Sequence, residues 1–140
     1  MLEHCVDPVR AVEKIARLIK PGGRMILTAP FNSLTHFAPY HYATGFSRYF
    51  YEYHLDRLGF EIEELTANGG FFDFMDQEIG RMARVRRIYK AGWRGPLTVI
   101  FSQLFRLNAR WLAEQDGPRM NRRSSELQCL GWFVVARKAA

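Results

Sequence analysis

The chain has 140 residues, 48% hydrophobic and 24% charged, with a formal net charge of +6. That length suits one domain with a sizeable core, and the apolar share argues against wholesale disorder. Cys5 and Cys129 stand far apart with no Cys-x-x-Cys spacing, which argues against a disulfide framework and a zinc site; no metal is expected.

The charge is unevenly spread. Arg81 to Arg123 holds eleven Lys/Arg against Glu114 and Asp116, a local +9 that leaves −3 for the remainder. Such a segment is either a solvated helical face or a surface for phosphates, anionic lipid or nucleic acid. Met1 to Lys20 has three acids and no apolar signal region. The longest apolar stretch, Leu97 to Leu107, is too short to span a bilayer. A cytoplasmic protein is the expectation.

In chain order, Asp7 and Pro8 form a helix start, the Asp side chain capping free amides and Pro occupying the first helical position. Val9, Val12, Ile15, Ala16 and Ile19 then recur at three- and four-residue steps. Pro21-Gly22-Gly23 ends that helix. Met25-Ile26-Leu27 comes next as a continuous apolar run, which predicts a strand covered on both faces. Ligands of open α/β sheets sit outside the carboxyl ends of such strands, so Ala29 to Ser33 is the first place to look for chemistry. Pro30 to Gly45 is rich in polar and aromatic side chains.

A second helix is predicted from Ser47, with Tyr51, Leu55 and Leu58 on one face and Gly59 as a left-handed stop. Phe60 to Thr66 reads as a strand of imperfect alternation, and Asn68-Gly69-Gly70 turns it into a third helix. Arg84 to Gly95 is expected to be irregular. Leu97, Ile100, Phe101, Leu104 and Trp111 predict a fourth amphipathic helix. Asp116 to Ser125 is expected as an exposed loop, and Leu130 to Ala136 as a final strand. The stripes Phe72/Met75/Ile79 and Leu97/Phe101/Leu104 are expected to be core.

Leu2-Glu3-His4, Asp7-Pro8, one helix, Leu18-Ile19-Lys20-Pro21-Gly22-Gly23-Arg24 and a strand together resemble the second half of a class I S-adenosylmethionine-dependent methyltransferase. Ser47 to Leu65 and Leu130 to Lys138 also fit. The resemblance implies an α/β fold: the carboxyl-terminal half of a Rossmann-like seven-stranded sheet. The chain's three strands would be its fifth, sixth and antiparallel seventh, with extra helices inserted before the last. Residues 1–140 would then be a partial methyltransferase domain, with 71–126 a helical insertion or lid.

The implied cofactor is S-adenosylmethionine, and the implied acceptor a small molecule or a glycan- or lipid-linked group. The resemblance puts Leu2, Glu3 and His4 beside the cofactor. Asn32, Ser33 and Tyr42 are candidate acceptor contacts. His36 and His41 are candidate acceptor-pocket bases, with Tyr40 beside them; imidazoles near neutral pH and aromatic walls suit such a pocket. For each, the structural alternative is turn chemistry or a packed lid. His54, within a helix, is expected to pack or face solvent.

The family's Gly-rich loop after its first strand and its acid after the second are not in this sequence. Neither Gly22-Gly23 nor Gly69-Gly70 is a Gly-x-Gly turn leaving a strand and opening a helix. The expectation is a truncated enzyme, inactive alone, whose exposed sheet edge promotes self-association. Two alternatives stand beside it: a non-catalytic half-domain partner of another methyltransferase, and a basic module for a membrane or RNA surface using Trp93 and Trp111. Nucleic acid is the less favoured partner; peripheral membrane contact is compatible with the enzyme.

Overall fold

Asp7 begins helix α1 (Pro8–Leu18) as predicted, its carboxylate accepting from the Arg10 amide at 2.9 Å with Pro8 in the first turn. The computed structural model of the chain describes residues 1–91 and 95–140; Trp93, with the rest of 92–94, lies outside the described residues. The described residues form a mixed α/β structure with a three-stranded sheet and four α-helices.

The strands are β1 (Arg24–Pro30), β2 (Phe60–Asn68) and β3 (Gly131–Lys138), in the order β1-β3-β2. β3 is antiparallel to both neighbours, so β1 and β2 run parallel to each other. Register aligns Leu27 with Val134 and Val134 with Leu65. Met25, Leu27, Ala29, Trp132, Val134, Ala136 and Ala67 form one buried cluster with Val12 and Ala16 of α1 and with Tyr51 and Leu55 of α2 (Arg48–Arg57). Burial of each large aliphatic there contributes about 1.5–3 kcal/mol.

Burial on both faces of β1 does not occur. Its pattern alternates, and Ile26 is 64% exposed. Both helices in the cluster lie on one face, and β1 pairs only with β3 among the described residues, so it is an edge strand. The imperfect alternation of β2 has a local cause: a register shift between Ile62 and Glu64 inserts an extra residue opposite β3. Gly59 ends the α2 segment at φ +73°, and Ser47 is the N-cap position of α2 without a side-chain capping hydrogen bond.

Lys138 ties β3 to α1, its Nζ donating to the carbonyls of Ala16 and Ile19 at 2.9 Å each. These carbonyls close the end of the helix, where i+4 amide partners run out; that of Ala16 also accepts from the Ile19 amide at 3.3 Å.

Helices α3 (Phe71–Ile88) and α4 (Gly95–Gln115) correct three expectations. Arg84 to Ile88 is helical, because α3 continues through it. Phe72, Met75 and Ile79 are only half-buried. In α4 the predicted core stripe is exposed: Leu97 is 47%, Phe101 55% and Leu104 58% accessible. The helix buries Ser102, Ala109 and Ala113 instead, a stripe of small side chains that lets two helices approach closely. Asp76 joins the pair, accepting from Arg106 Nε at 2.8 Å and Arg110 Nε at 3.2 Å.

Asp116 to Ser125 is the expected loop but only half of it is exposed: residues 118–121 and Arg123 face solvent, whereas Asp116, Arg122 and Ser125 are buried. The Asp116 carboxylate accepts from the Ser124 amide and hydroxyl. The Arg122 guanidinium reaches Asp73 at 2.6 Å and the Gly117 carbonyl. A short 3-10 turn (Arg123–Glu126) then leads to β3.

Candidate functional site

The loop leaving β1 closes on itself. Phe46 N donates to Pro30 O at 2.9 Å and Ser33 N to Thr44 O at 2.7 Å, pinning its two ends together. Gly45 is required at the crossing: its φ is +155° and a Cβ would overlap the carbonyls of Phe31 and Pro30. The loop is also fastened to the 3-10 turn Leu2–His4, where Tyr42 N and Ala43 N both donate to Glu3 O. Leu2, buried in the core, anchors that turn.

This crossing brings together residues that are far apart in sequence. The rings of His4 and His36 lie 4.7 Å apart, and those of His36 and His41 4.9 Å. Phe37 packs edge-on against His4 at 5.6 Å. Glu3 sits beside them, its Oε1 3.6 Å from His4 Nε2 and 4.0 Å from His36 Nε2. Burial works to raise the Glu3 pKa, but the hydrogen bond from the Met1 amino group and the nearby His4 outweigh it and hold the carboxyl below its ordinary value.

Tautomers follow from the partners. His4 Nδ1 faces the Tyr40 carbonyl and His36 Nδ1 the Leu34 carbonyl, at 2.8 Å for the latter. A carbonyl only accepts, so each Nδ1 carries a proton, and it is Nε2 that holds the lone pair in the neutral form of each ring. Ser33 Oγ donates to Thr44 O at 2.8 Å. The contact of 3.3 Å between His41 Nε2 and Ser33 Oγ is therefore donated by the imidazole, leaving the lone pair on His41 Nδ1.

Two hollows flank the cluster. One, of about 400 Å³, lies at the carboxyl ends of β1 and β2 and is lined by Met1, Glu3, Pro30, Asn68, Trp132 and others. The second, of about 830 Å³, runs between Ser33–His36 and the Arg81, Arg84, Val85, Ile88 and Tyr89 side of α3. Leu2 belongs to the core and lines neither. Asn32, Tyr40 and Tyr42 are exposed, with Tyr40 contributing its backbone to the cluster. His54 stacks on Phe50 at 4.7 Å, outside this cluster.

Sequence reasoning missed Trp132 and the environment of the Tyr51 phenol. The indole Nε1 and phenol Oη are buried without a partner among the described residues, which native interiors rarely leave so. Burial and then the Glu3 carboxylate push the Tyr51 phenol up. Cys129, also near, is pushed up to about 11 by burial and is no nucleophile at neutral pH. Arg81 and Arg84 were legible only as members of a basic run.

The Gly-Gly turn that follows β2 forms no seat for S-adenosylmethionine. Gly69-Gly70 does connect β2 to α3, with Gly69 at φ +70°, but that turn is filled. Gly70 N donates to Asp73 Oδ2 and Phe71 N to Ser124 Oγ, and a Cβ on Gly70 would meet Ser124, Arg122 and Asp116. No cradle for the cofactor exists there. Comparison with protein-family models, with curated proteins and with solved structures gives no match.

Proposed function

We propose that the chain is the acceptor-side, carboxyl-terminal half of a class I S-adenosylmethionine-dependent methyltransferase. One observation carries this reading: β3 runs antiparallel between two mutually parallel strands, α1 and α2 pack on one face, and a cleft opens at the carboxyl ends of β1 and β2. The resemblance calls for a last antiparallel strand in an otherwise parallel sheet, and strand ends of this kind bind ligands. A bound cofactor would supply the methyl group; its Gly-rich loop is not among these residues. The chain's own task is to orient the acceptor and receive its proton. His36 Nε2 and His41 Nδ1 hold free lone pairs on the loop that borders the larger groove, and Ser33, Tyr42 and Asn32 lie on the same loop.

The test is purification of the tagged chain from cells that make it, followed by assay with tritiated S-adenosylmethionine. Tritium transfer that disappears in the His36→Ala/His41→Ala double variant is the expected result. An eluate without transferase activity overturns the reading, and activity that survives the double variant overturns it in favour of a chain that completes or regulates another enzyme.

A second reading concerns where the acceptor resides, and the helical hairpin favours it. No acid occurs between Glu78 and Glu114, whereas eight Lys/Arg do. Along the same stretch Ile88, Tyr89, Ile100, Phe101, Leu104 and Phe105 are exposed. Cations interleaved with bare apolar side chains suit an anionic lipid surface better than RNA. No helix among the described residues is long and apolar enough to cross a membrane, so in this reading the hairpin lies on the bilayer and the acceptor is lipid-linked. Co-sedimentation with phosphatidylglycerol vesicles, lost in high salt and absent with phosphatidylcholine, is expected. Equal recovery without vesicles rules it out.

A further inference from the structure

We propose that Glu3, His4 and His36 form a binding site for one borderline divalent transition-metal ion, Zn²⁺ being the reference case. The inference does not rest on methyl transfer and requires no cofactor. One ligand atom from each of His4, His36 and the Glu3 carboxylate lies within 4.8 Å of the other two.

Three features separate this trio from an ordinary ion-pair cluster. The first is tautomer. Both Nδ1 atoms donate to backbone carbonyls, Tyr40 O and Leu34 O, so both Nε2 lone pairs converge on the same carboxylate oxygen. In the neutral rings these lone pairs face a carboxylate, an arrangement that a proton on Nε2 or a shared metal cation relieves. Metal-bound histidines show this same outer arrangement, the second ring nitrogen donating to a carbonyl or carboxylate.

The second feature is distance. The contacts to Glu3 Oε1, 3.6 and 4.0 Å, are too long for charge-assisted hydrogen bonds, which close to about 2.7–2.9 Å. An ion with bonds of about 2.0–2.2 Å holds tetrahedral ligands about 3.4 Å apart, so the two edges to Glu3 must close by a few tenths of an ångström and the edge between the histidines, which is at most 4.8 Å, by up to about 1.4 Å.

The third feature is support. Glu3 is 7% exposed and its main-chain oxygen is held by two amides of the loop that carries His36. The ligands are thereby presented by two chain segments fastened to each other. One Glu3 oxygen, Oε2, is engaged by Met1 N at 2.6 Å, leaving Oε1 for the ion.

Two imidazoles and one carboxylate suit a borderline divalent ion and leave positions open for water or an oxygen of a bound molecule. His41 is not in the set: its Nε2 is turned to Ser33 Oγ. With the ion bound, His4 and His36 are ligands and His41 is the imidazole of the three left to accept a proton; with the site empty, His36 Nε2 is available for that role as well.

The test uses the tag-free chain titrated with Co²⁺, read by visible absorption, then with Zn²⁺ in competition. The expected result is one equivalent bound with the d–d bands of a low-coordinate site. His36→Ala and His4→Ala each weaken binding by about 100-fold or more, while His41→Ala and His54→Ala leave it essentially unchanged. Because Glu3 is buried, Glu3→Gln is checked by circular dichroism; His36, on the loop, keeps the test decisive if that variant fails to fold. Binding that survives His36→Ala and His4→Ala, or the absence of any stoichiometric binding, overturns the site.

Discussion

The sheet with its two helices and the α3–α4 hairpin dispose of apolar side chains in opposite ways. In the sheet unit, Leu27, Val134, Tyr51 and Leu55 turn inward. In the hairpin, α4 buries Ser102, Ala109 and Ala113 and turns Leu97, Phe101, Leu104, Phe105 and Trp111 to the surface. Small side chains and the Asp76 ion pairs hold the hairpin together, so its large apolar groups are spare. An exposed apolar area of that extent marks an interaction surface. One region is built to be stable and the other to meet something.

The contrast can be broken at four points. Leu27→Ala should cost about 3 kcal/mol by urea denaturation, since it leaves a cavity opposite Val134. A loss under about 1 kcal/mol would mean that the sheet is not the stability core. Asp76→Ala comes next, at about 1–2 kcal/mol after allowing for partial exposure of its arginines. Its pH signature has a definite sign. Burial raises the Asp76 pKa, but hydrogen bonds and attraction from Arg106 and Arg110 win and lower it. The stabilisation is present above the ordinary Asp range and is lost as pH falls from about 4 through the lowered value. Hydrogen exchange in α4 should accelerate over that window in the wild type and stay flat in the variant.

Asp7→Ala should cost about 1 kcal/mol by loss of the Arg10 amide's partner, read as a shift in the thermal midpoint. Smallest of all, Leu104→Ser with Phe105→Ser should change stability by less than about 0.5 kcal/mol while reducing vesicle recovery. A large destabilisation would show that these side chains belong to the folding core after all.

Locally encoded features were legible. Asp7-Pro8, Gly59 and the strand at Met25 to Leu27 follow from capping, left-handed turns and apolar runs, each decided within a few residues. The orientation of α4 was not. Spacing gives a helix two stripes, Leu97/Phe101/Leu104 and Ser102/Ala109/Ala113, and only the partner helix decides which is covered. The polarity of Asp116 to Ser125 marks it as a loop, which it is, but not that its polar groups satisfy one another and Asp73 across the fold and so bury part of it. The loop residues His36 and His41 stood out by composition. Their meeting with Glu3 and His4 depends on the crossing at Gly45 and obeys no spacing rule.

The position of β3 between β1 and β2 bears on how the chain is made. Of the three strands it leaves the ribosome last, and until it does neither of the others has a partner strand among the described residues; β2 has only the short bridge from Ala67 and Asn68 to Met120 and Asn121. The same late segment carries Lys138, which finishes the carbonyl end of α1. Nascent chains that still lack β3 can hold helices but not this sheet, so assembly waits on contacts that span most of the sequence. During that interval two apolar strands stay open to other nascent copies, and chaperone demand should peak just before β3 emerges.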